Sequence, residues 1–146
     1  MNSLVSGELS TLFANYIHAF SMMNMQAVRD CYLLPCTLNT PDKVVLLNGE
    51  QCFQDEFKQI FDLLASENIV AFKVSNATFD EVTENTTVAA VDWQFLDNAN
   101  NLFTEFTAIY HLTKSNTNFK IINVVSQDIS QSITLSQPLI IEQEMK

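Results

Sequence analysis

Six side chains in this sequence have the clearest capacity for chemistry: Glu105, Asp128, His111, Tyr16, Tyr32 and Trp93. Whether they meet depends on how strands pair. The five-residue loop 97–101 sets Leu96 opposite Leu102, and counting along that hairpin puts Trp93 opposite Glu105 and Val91 opposite Thr107. Opposed residues share a face of the sheet. The tight turn at Asn116-Thr117 pairs Lys114 with Phe119. Counting back from there sets His111 against Ile122, Ile109 against Val124, Thr107 against Ser126, and Glu105 against Asp128. The expected pocket face therefore carries Trp93, Phe95, Phe103, Glu105, Thr107, Ile109, His111, Val124, Ser126 and Asp128. Two neighbouring carboxylates in a half-apolar cleft divide into an acid and a base. Glu105, Asp128 and His111 are thus the candidate catalytic groups. The plainer expectation places both acids at solvated strand ends. Tyr16, Tyr32, Trp93, Phe103, Thr107 and Ile109 are the candidate ligand-binding residues, the tyrosines as hydroxyls that polarise a carbonyl or as packed core. The opposite face would hold Asp92, Gln94, Phe106 and Tyr110, a mix suited to a partly wet dimer interface. His111 has no second ligand at recognisable spacing, and His18 falls on a polar helix face, so no metal and no cofactor are expected.

The elements that position these residues follow a clear order. Leu9, Leu12, Phe13, Tyr16, Ile17 and Phe20 form one apolar stripe at helical spacing, with Thr11, Asn15 and His18 opposite. Asn24 is an N-cap for a short second helix, Met25–Tyr32, which Pro35 stops. Thr37–Thr40 before Pro41 reads as a short strand with a turn, and Val44–Leu47 as a short strand or apolar loop. Gln51–Ser66 is a third helix with the stripe Phe53, Phe57, Ile60, Phe61 and Leu64. Four strand-like runs follow, Ile69–Asp80, Thr86–Asp97, Leu102–Lys114 and Phe119–Asp128. With only two Gly in the chain, Asn residues must supply the left-handed turn conformations. Helices first and a meander afterwards is the α+β pattern.

Composition narrows the class. At 146 residues, 47% hydrophobic and 16% charged, the chain is one globular domain. Residues 1–128 form that domain; 129–146 is a tail, read as an extra strand, a partner-binding arm or disorder. The net charge of −10 repels phosphate backbones and anionic lipid, so neither nucleic acid nor a membrane is an expected partner. Cys31, Cys36 and Cys52 fit neither a zinc knuckle nor a Cys-x-x-Cys pair and read as reduced, mostly buried thiols. The helical periodicity near the N-terminus, preceded by Glu8, does not read as a signal peptide, and the expected location is cytoplasmic.

The stripe around Tyr16 and Phe20, the run Asn24-Met25-Gln26-Ala27-Val28 leading to Tyr32 and Pro35, Gly49 opening the third helix, Val91–Asp97 and Phe119-Lys120-Ile121-Ile122 together resemble the nuclear transport factor 2-like, or cystatin-like, superfamily. That resemblance implies a strongly curved sheet wrapped round the helices, a cone-shaped pocket, and homodimerisation through the outer sheet face. Members include ketosteroid isomerases, polyketide cyclases, dehydratases, epoxide hydrolases and pure binding or scaffold proteins, so fold does not give function. In the isomerase-like members a general-base Asp precedes a Pro after the second helix; here the matching pair is Thr40-Pro41, and a threonine hydroxyl is no base near neutral pH. Three functions follow: binding of a small apolar or weakly polar molecule, acid–base isomerase, cyclase or hydratase chemistry on such a molecule, or a non-enzymatic protein-interaction domain.

Overall fold

A computed structural model describes residues 3–142. Three helices, α1 (Ser3–Ser21), α2 (Met25–Arg29) and α3 (Glu50–Ser66), pack on one face of a seven-stranded mixed sheet. The strands are β1 (Tyr32–Asn39), β2 (Val44–Leu47), β3 (Ile69–Thr83), β4 (Thr86–Asp97), β5 (Leu102–Ser115), β6 (Asn118–Asp128) and β7 (Gln137–Pro138), in the spatial order β2-β1-β6-β5-β4-β3-β7. Among the described residues β1 and β6 run parallel and every other strand pair is antiparallel.

The local chemistry matches the sequence in most places. The α1 stripe buries Leu9, Phe13, Tyr16, Ile17 and Phe20. Asn24 caps α2 by accepting from Ala27 N–H at 3.0 Å. The α3 stripe buries Phe53, Phe57, Phe61 and Leu64, and Phe20 packs edge-on against Phe57, Phe61 and Phe72 to join α1, α3 and β3. Asn68, Asn100 and Asn116 adopt positive φ, as the scarcity of Gly requires. Asp97 locks its loop by accepting from Ala99 and Asn101 N–H at 2.9 and 2.8 Å, and those donors hold its carboxyl below the usual range.

One expected boundary is corrected. The second helix ends at Arg29, and Tyr32 opens a strand rather than closing a helix. Pro35 lies inside β1 after a cis peptide bond. It has no N–H to give a ladder, and the β1–β6 register shifts between Tyr32 and Thr37, across that proline.

Beyond Asp128 the chain turns through a short 3-10 segment, Ile129–Gln131, and crosses the outer face of the sheet. Ser132 donates to buried Asp92 of β4, then Leu135 and Ser136 N–H donate to Thr78 and Asp80 of β3. β7 then adds to the edge of β3, Leu139 and Ile141 enter the core, and Ser10 of α1 donates to the Ile140 carbonyl. Residues 129–142 thus strap the sheet from its outer face round one edge to α1. The last four residues of the expected tail lie outside the described residues.

Candidate functional site

The helix-facing side of the sheet is set by two β-bulges. On β5 the pairing reads Leu96 with Leu102 but Phe95 with Thr104, so Phe103 is an extra residue. On β6 the pairing reads Leu112 with Ile121 but His111 with Asn123, so Ile122 is extra. Each bulge moves the rest of its strand by one position, which exchanges the two faces. The counted register is therefore corrected: Trp93 lies opposite Phe106, Asp92 opposite Thr107, and Gln94 opposite Glu105. Ile109 faces Val125 rather than Val124, and Asp128 faces Phe106 rather than Glu105.

The correction moves most of the candidate residues. Glu105 alternates to the outer face, where Gln94 Nε2 donates to it at 3.0 Å. Asp128 is exposed and accepts from Ser130 N–H at 2.9 Å, which together with the Ser130 hydroxyl holds its carboxyl below the usual range. The two acids do not form the expected pair. His111 also faces outward. Asn123 Oδ1 accepts from Thr37 and Asn39 at 2.5 and 2.7 Å, so its amide nitrogen points at His111 Nδ1, 2.9 Å away. Thr107 is fully buried on the outer side under the tail and donates to Asp92 at 2.6 Å. Ile109 is half-buried on that face, and Phe103 is 40% exposed at the bulge. Phe106 and Tyr110, expected outside, face the helices.

Tyr16, Tyr32 and Trp93 do converge, and Tyr110 joins them. These four line a cavity of about 250 Å³ between the helices and the sheet. Phe20, Phe57 and Ile60 close it from the helices; Phe72, Phe95, Phe106, Ala108, Val124 and Ser126 close it from the sheet. Leu38, Asn39, Thr40, Lys43, Val45 and Glu56 form the more exposed rim. A larger, open groove of about 640 Å³ lies on the polar side of α1, where Glu8 pairs with Lys114 at 3.2 Å. Its walls mix apolar residues such as Leu12 and Phe119 with Thr11, Asn15 and Lys120, and one Glu8 carboxylate oxygen there is buried; the site is placed in the smaller, apolar cavity, where four polar aromatic side chains converge.

Four polar aromatic groups of that cavity lie together. Trp93 Nε1–H donates to the Tyr110 hydroxyl at 2.9 Å, Tyr16 meets Tyr32 hydroxyl to hydroxyl at 2.9 Å, and the Tyr110 and Tyr16 rings pack edge-on at 6.1 Å between the two pairs. The indole is donor-only, while each phenol both donates and accepts. Three phenols carry three hydrogens, and three hydroxyls in a row make at most two phenol–phenol bonds. At least one hydrogen is left over however they are ordered, and among the described residues no further acceptor engages it. Burial pushes all three phenols well above their ordinary pKa, so they remain neutral donors. The nearby thiols are held down in the same way: burial pushes Cys31 up to about 12 and Cys36 up to about 11.

Thr40 does lie on the cavity rim, at the position the resemblance marks for a base. Its hydroxyl is spent on the β1–β2 turn, accepting from Asp42 and Lys43 N–H at 3.3 and 3.2 Å. The acid on the rim is instead Glu56 of α3, which the sequence reading passed over. The available signal was its place beside Phe57 and Ile60, one helical step from the buried stripe.

No curated protein matches the sequence. Solved structures do match in fold. A cystatin-like protein of unknown function from Nostoc punctiforme aligns with a TM-score of 0.71 at 10% identity, covering 87% of this chain and 92% of the other. An NTF2-like protein with a cystatin-like fold from Novosphingobium aromaticivorans gives 0.70 at 11% identity, covering 86% and 82%. An NTF2-like protein of unknown function from Shewanella oneidensis gives 0.68 at 11% identity, covering 84% and 98%. A family model described as NTF2-like protein (DUF6841) matches residues 7–129, most of the chain and all of the cavity-forming elements, and the chain belongs to that family.

Proposed function

We propose that this protein binds a small, largely apolar molecule that carries a hydrogen-bond acceptor, with the spare phenol hydrogen of the Tyr110–Tyr16–Tyr32 cluster as its deep anchor. The observation that carries this reading is the unspent donor in a cavity walled mostly by aromatic and aliphatic carbon. An apolar cavity of ~150 Å³ holds benzene, so about 250 Å³ suits two fused rings. A carbonyl oxygen at the phenols would take the leftover hydrogen without displacing an existing bond. Catalysis would further need a base. The phenols are held neutral, Thr40 is engaged in its turn, and the one carboxylate of the lining, Glu56, belongs to the rim and not to the phenol cluster, which favours binding over isomerase, cyclase or hydratase chemistry. The protein is further inferred to dimerise through the outer sheet face, where Val88, Ile109 and Val125 form a half-buried patch beside the tail strap. A dimer that persists in sedimentation when Ile109 is changed to Lys would refute that placement.

Trp93 is the chain's one tryptophan and lines the cavity, so its emission reports occupancy. Titration with 1-tetralone is expected to change that emission saturably, and tetralin, which lacks the carbonyl, should bind about fivefold more weakly for the loss of one hydrogen bond. No saturable response to either compound, by emission or by calorimetry, would refute the reading.

A further inference from the structure

The geometry points to a second recognition element in this cavity: Glu56 and Lys43 at the rim select a ligand bearing a hydroxyl group opposite its carbonyl. The inference rests on the cavity reading above. Glu56 is the one carboxylate lining the cavity among the described residues, and its side chain is 18% exposed. It accepts no hydrogen bond among the described residues; its one polar neighbour is Lys43 Nζ at 3.9 Å. That separation is too long for a hydrogen bond. A mostly shielded carboxylate with unused acceptor capacity in the lining of a largely apolar cavity is available to a donor on a ligand.

The pair also discriminates chemically. A hydroxyl seated between the two groups accepts from the Lys43 ammonium and donates to the Glu56 carboxylate, completing both. A cationic amine would donate to Glu56 but be repelled by Lys43, and an ether would accept from Lys43 and leave Glu56 unsatisfied. The deep phenols ask for an acceptor and the rim asks for a hydroxyl, so the ligand class is a bicyclic or similarly sized hydroxy ketone.

The test compares 1-tetralone, 6-hydroxy-1-tetralone and 6-methoxy-1-tetralone on the full chain, read by Trp93 emission and by calorimetry. The hydroxy ketone is expected to bind about tenfold more tightly than either other compound, since a hydrogen bond to a charged group is worth that much or more. Glu56→Leu should reduce that ratio to about one, and Glu56→Gln, which keeps an acceptor without the charge, to about threefold. Because the readout is a ratio within one variant, a change in the variant's stability does not imitate it. Equal binding of hydroxy and methoxy ketones to the wild type, or a ratio that survives Glu56→Leu, would overturn the role of the rim and leave the cavity reading standing. Failure of all three ketones to bind would overturn the cavity reading and this inference with it.

Discussion

Raising the pH tests the phenol cluster directly, because the chain's three tyrosines are its three members. Unfolded phenols lose protons from about pH 10 upward, whereas the folded ones, pushed well above 10.0 by burial, hold theirs. The unfolded state then binds fewer protons than the native state, so stability falls as pH rises. The thiols begin earlier, from their ordinary 9.0, and contribute until the folded values of about 12 for Cys31 and about 11 for Cys36 are reached. Taking the phenols as fully neutral when folded, these five groups together withdraw about 4 kcal/mol by pH 10 and about 9 kcal/mol by pH 11. A domain stable by about 5–15 kcal/mol should therefore unfold between about pH 10 and pH 12. The assay is tyrosinate absorbance recorded beside far-ultraviolet circular dichroism at each pH. Absorbance should stay flat while the fold persists and then rise for all three tyrosines in one step with the loss of helix and sheet signal. A tyrosinate band that grows near pH 10 with the dichroism still native would refute the closed, hydrogen-bonded arrangement of the three rings.

Within the same cluster, Tyr110→Phe breaks the bond from Trp93 and orphans that buried N–H, so it should cost about 2–3 kcal/mol in urea unfolding, against about 1 kcal/mol for Tyr32→Phe at the cluster's end. Equal costs would contradict the order Trp93–Tyr110–Tyr16–Tyr32. Ser132→Ala removes the hydroxyl that donates to both oxygens of Asp92, and should cost about 1–2 kcal/mol while raising amide exchange through 133–142 more than in β4 or β5. Deleting Phe103 removes the bulge residue; Leu102 and Thr104 then pair with Leu96 and Phe95 as a regular ladder, so Phe106 and Tyr110 should stay inside and tyrosinate formation should remain suppressed to about the same pH as in the parent chain.

Much of the fold was legible for identifiable reasons. Helical stripes such as Leu9–Phe13–Tyr16–Phe20 carry one face each, and the asparagines at 68, 100 and 116 are where a glycine-poor chain must place left-handed turns. Tyr16, Tyr32 and Trp93 were legible as cavity residues because apolar periodicity with a polar tip marks an amphipathic position. The start of β1 was not, since Tyr32 and Pro35 read as a helix end when the parallel partner β6 lies 80-odd residues away in sequence. Glu56 was missed because a carboxylate one position off a helical stripe looks like an ordinary surface acid until the β1–β2 loop is seen to arrive beside it.

The failure on β5 has a physical cause that the strand itself displays. Counting from the 97–101 loop selects Phe103, Glu105, Thr107, Ile109 and His111 as the inner set; the alternative is Thr104, Phe106, Ala108, Tyr110 and Leu112. The second set has no ionisable group other than a phenol, and the first would bury a carboxylate and an imidazole against the helices. Burying a charge without partners costs several kcal/mol even after relaxation. A bulge leaves one extra residue unpaired and bends the strand, a smaller cost at a site where Phe103 is 40% exposed. Burial therefore overrules the turn. The same balance recurs at Ile122 on β6, where the slip keeps Ile121 and Val124 inside and turns Asn123 outward to Thr37, Asn39 and His111. The two bulges decide what chemistry the cavity holds. They send Glu105 and His111 to the outer face and bring Phe106 and Tyr110 inward, so the sheet lines the cavity mostly with neutral phenols and carbon, and the one carboxylate of the lining among the described residues comes from a helix.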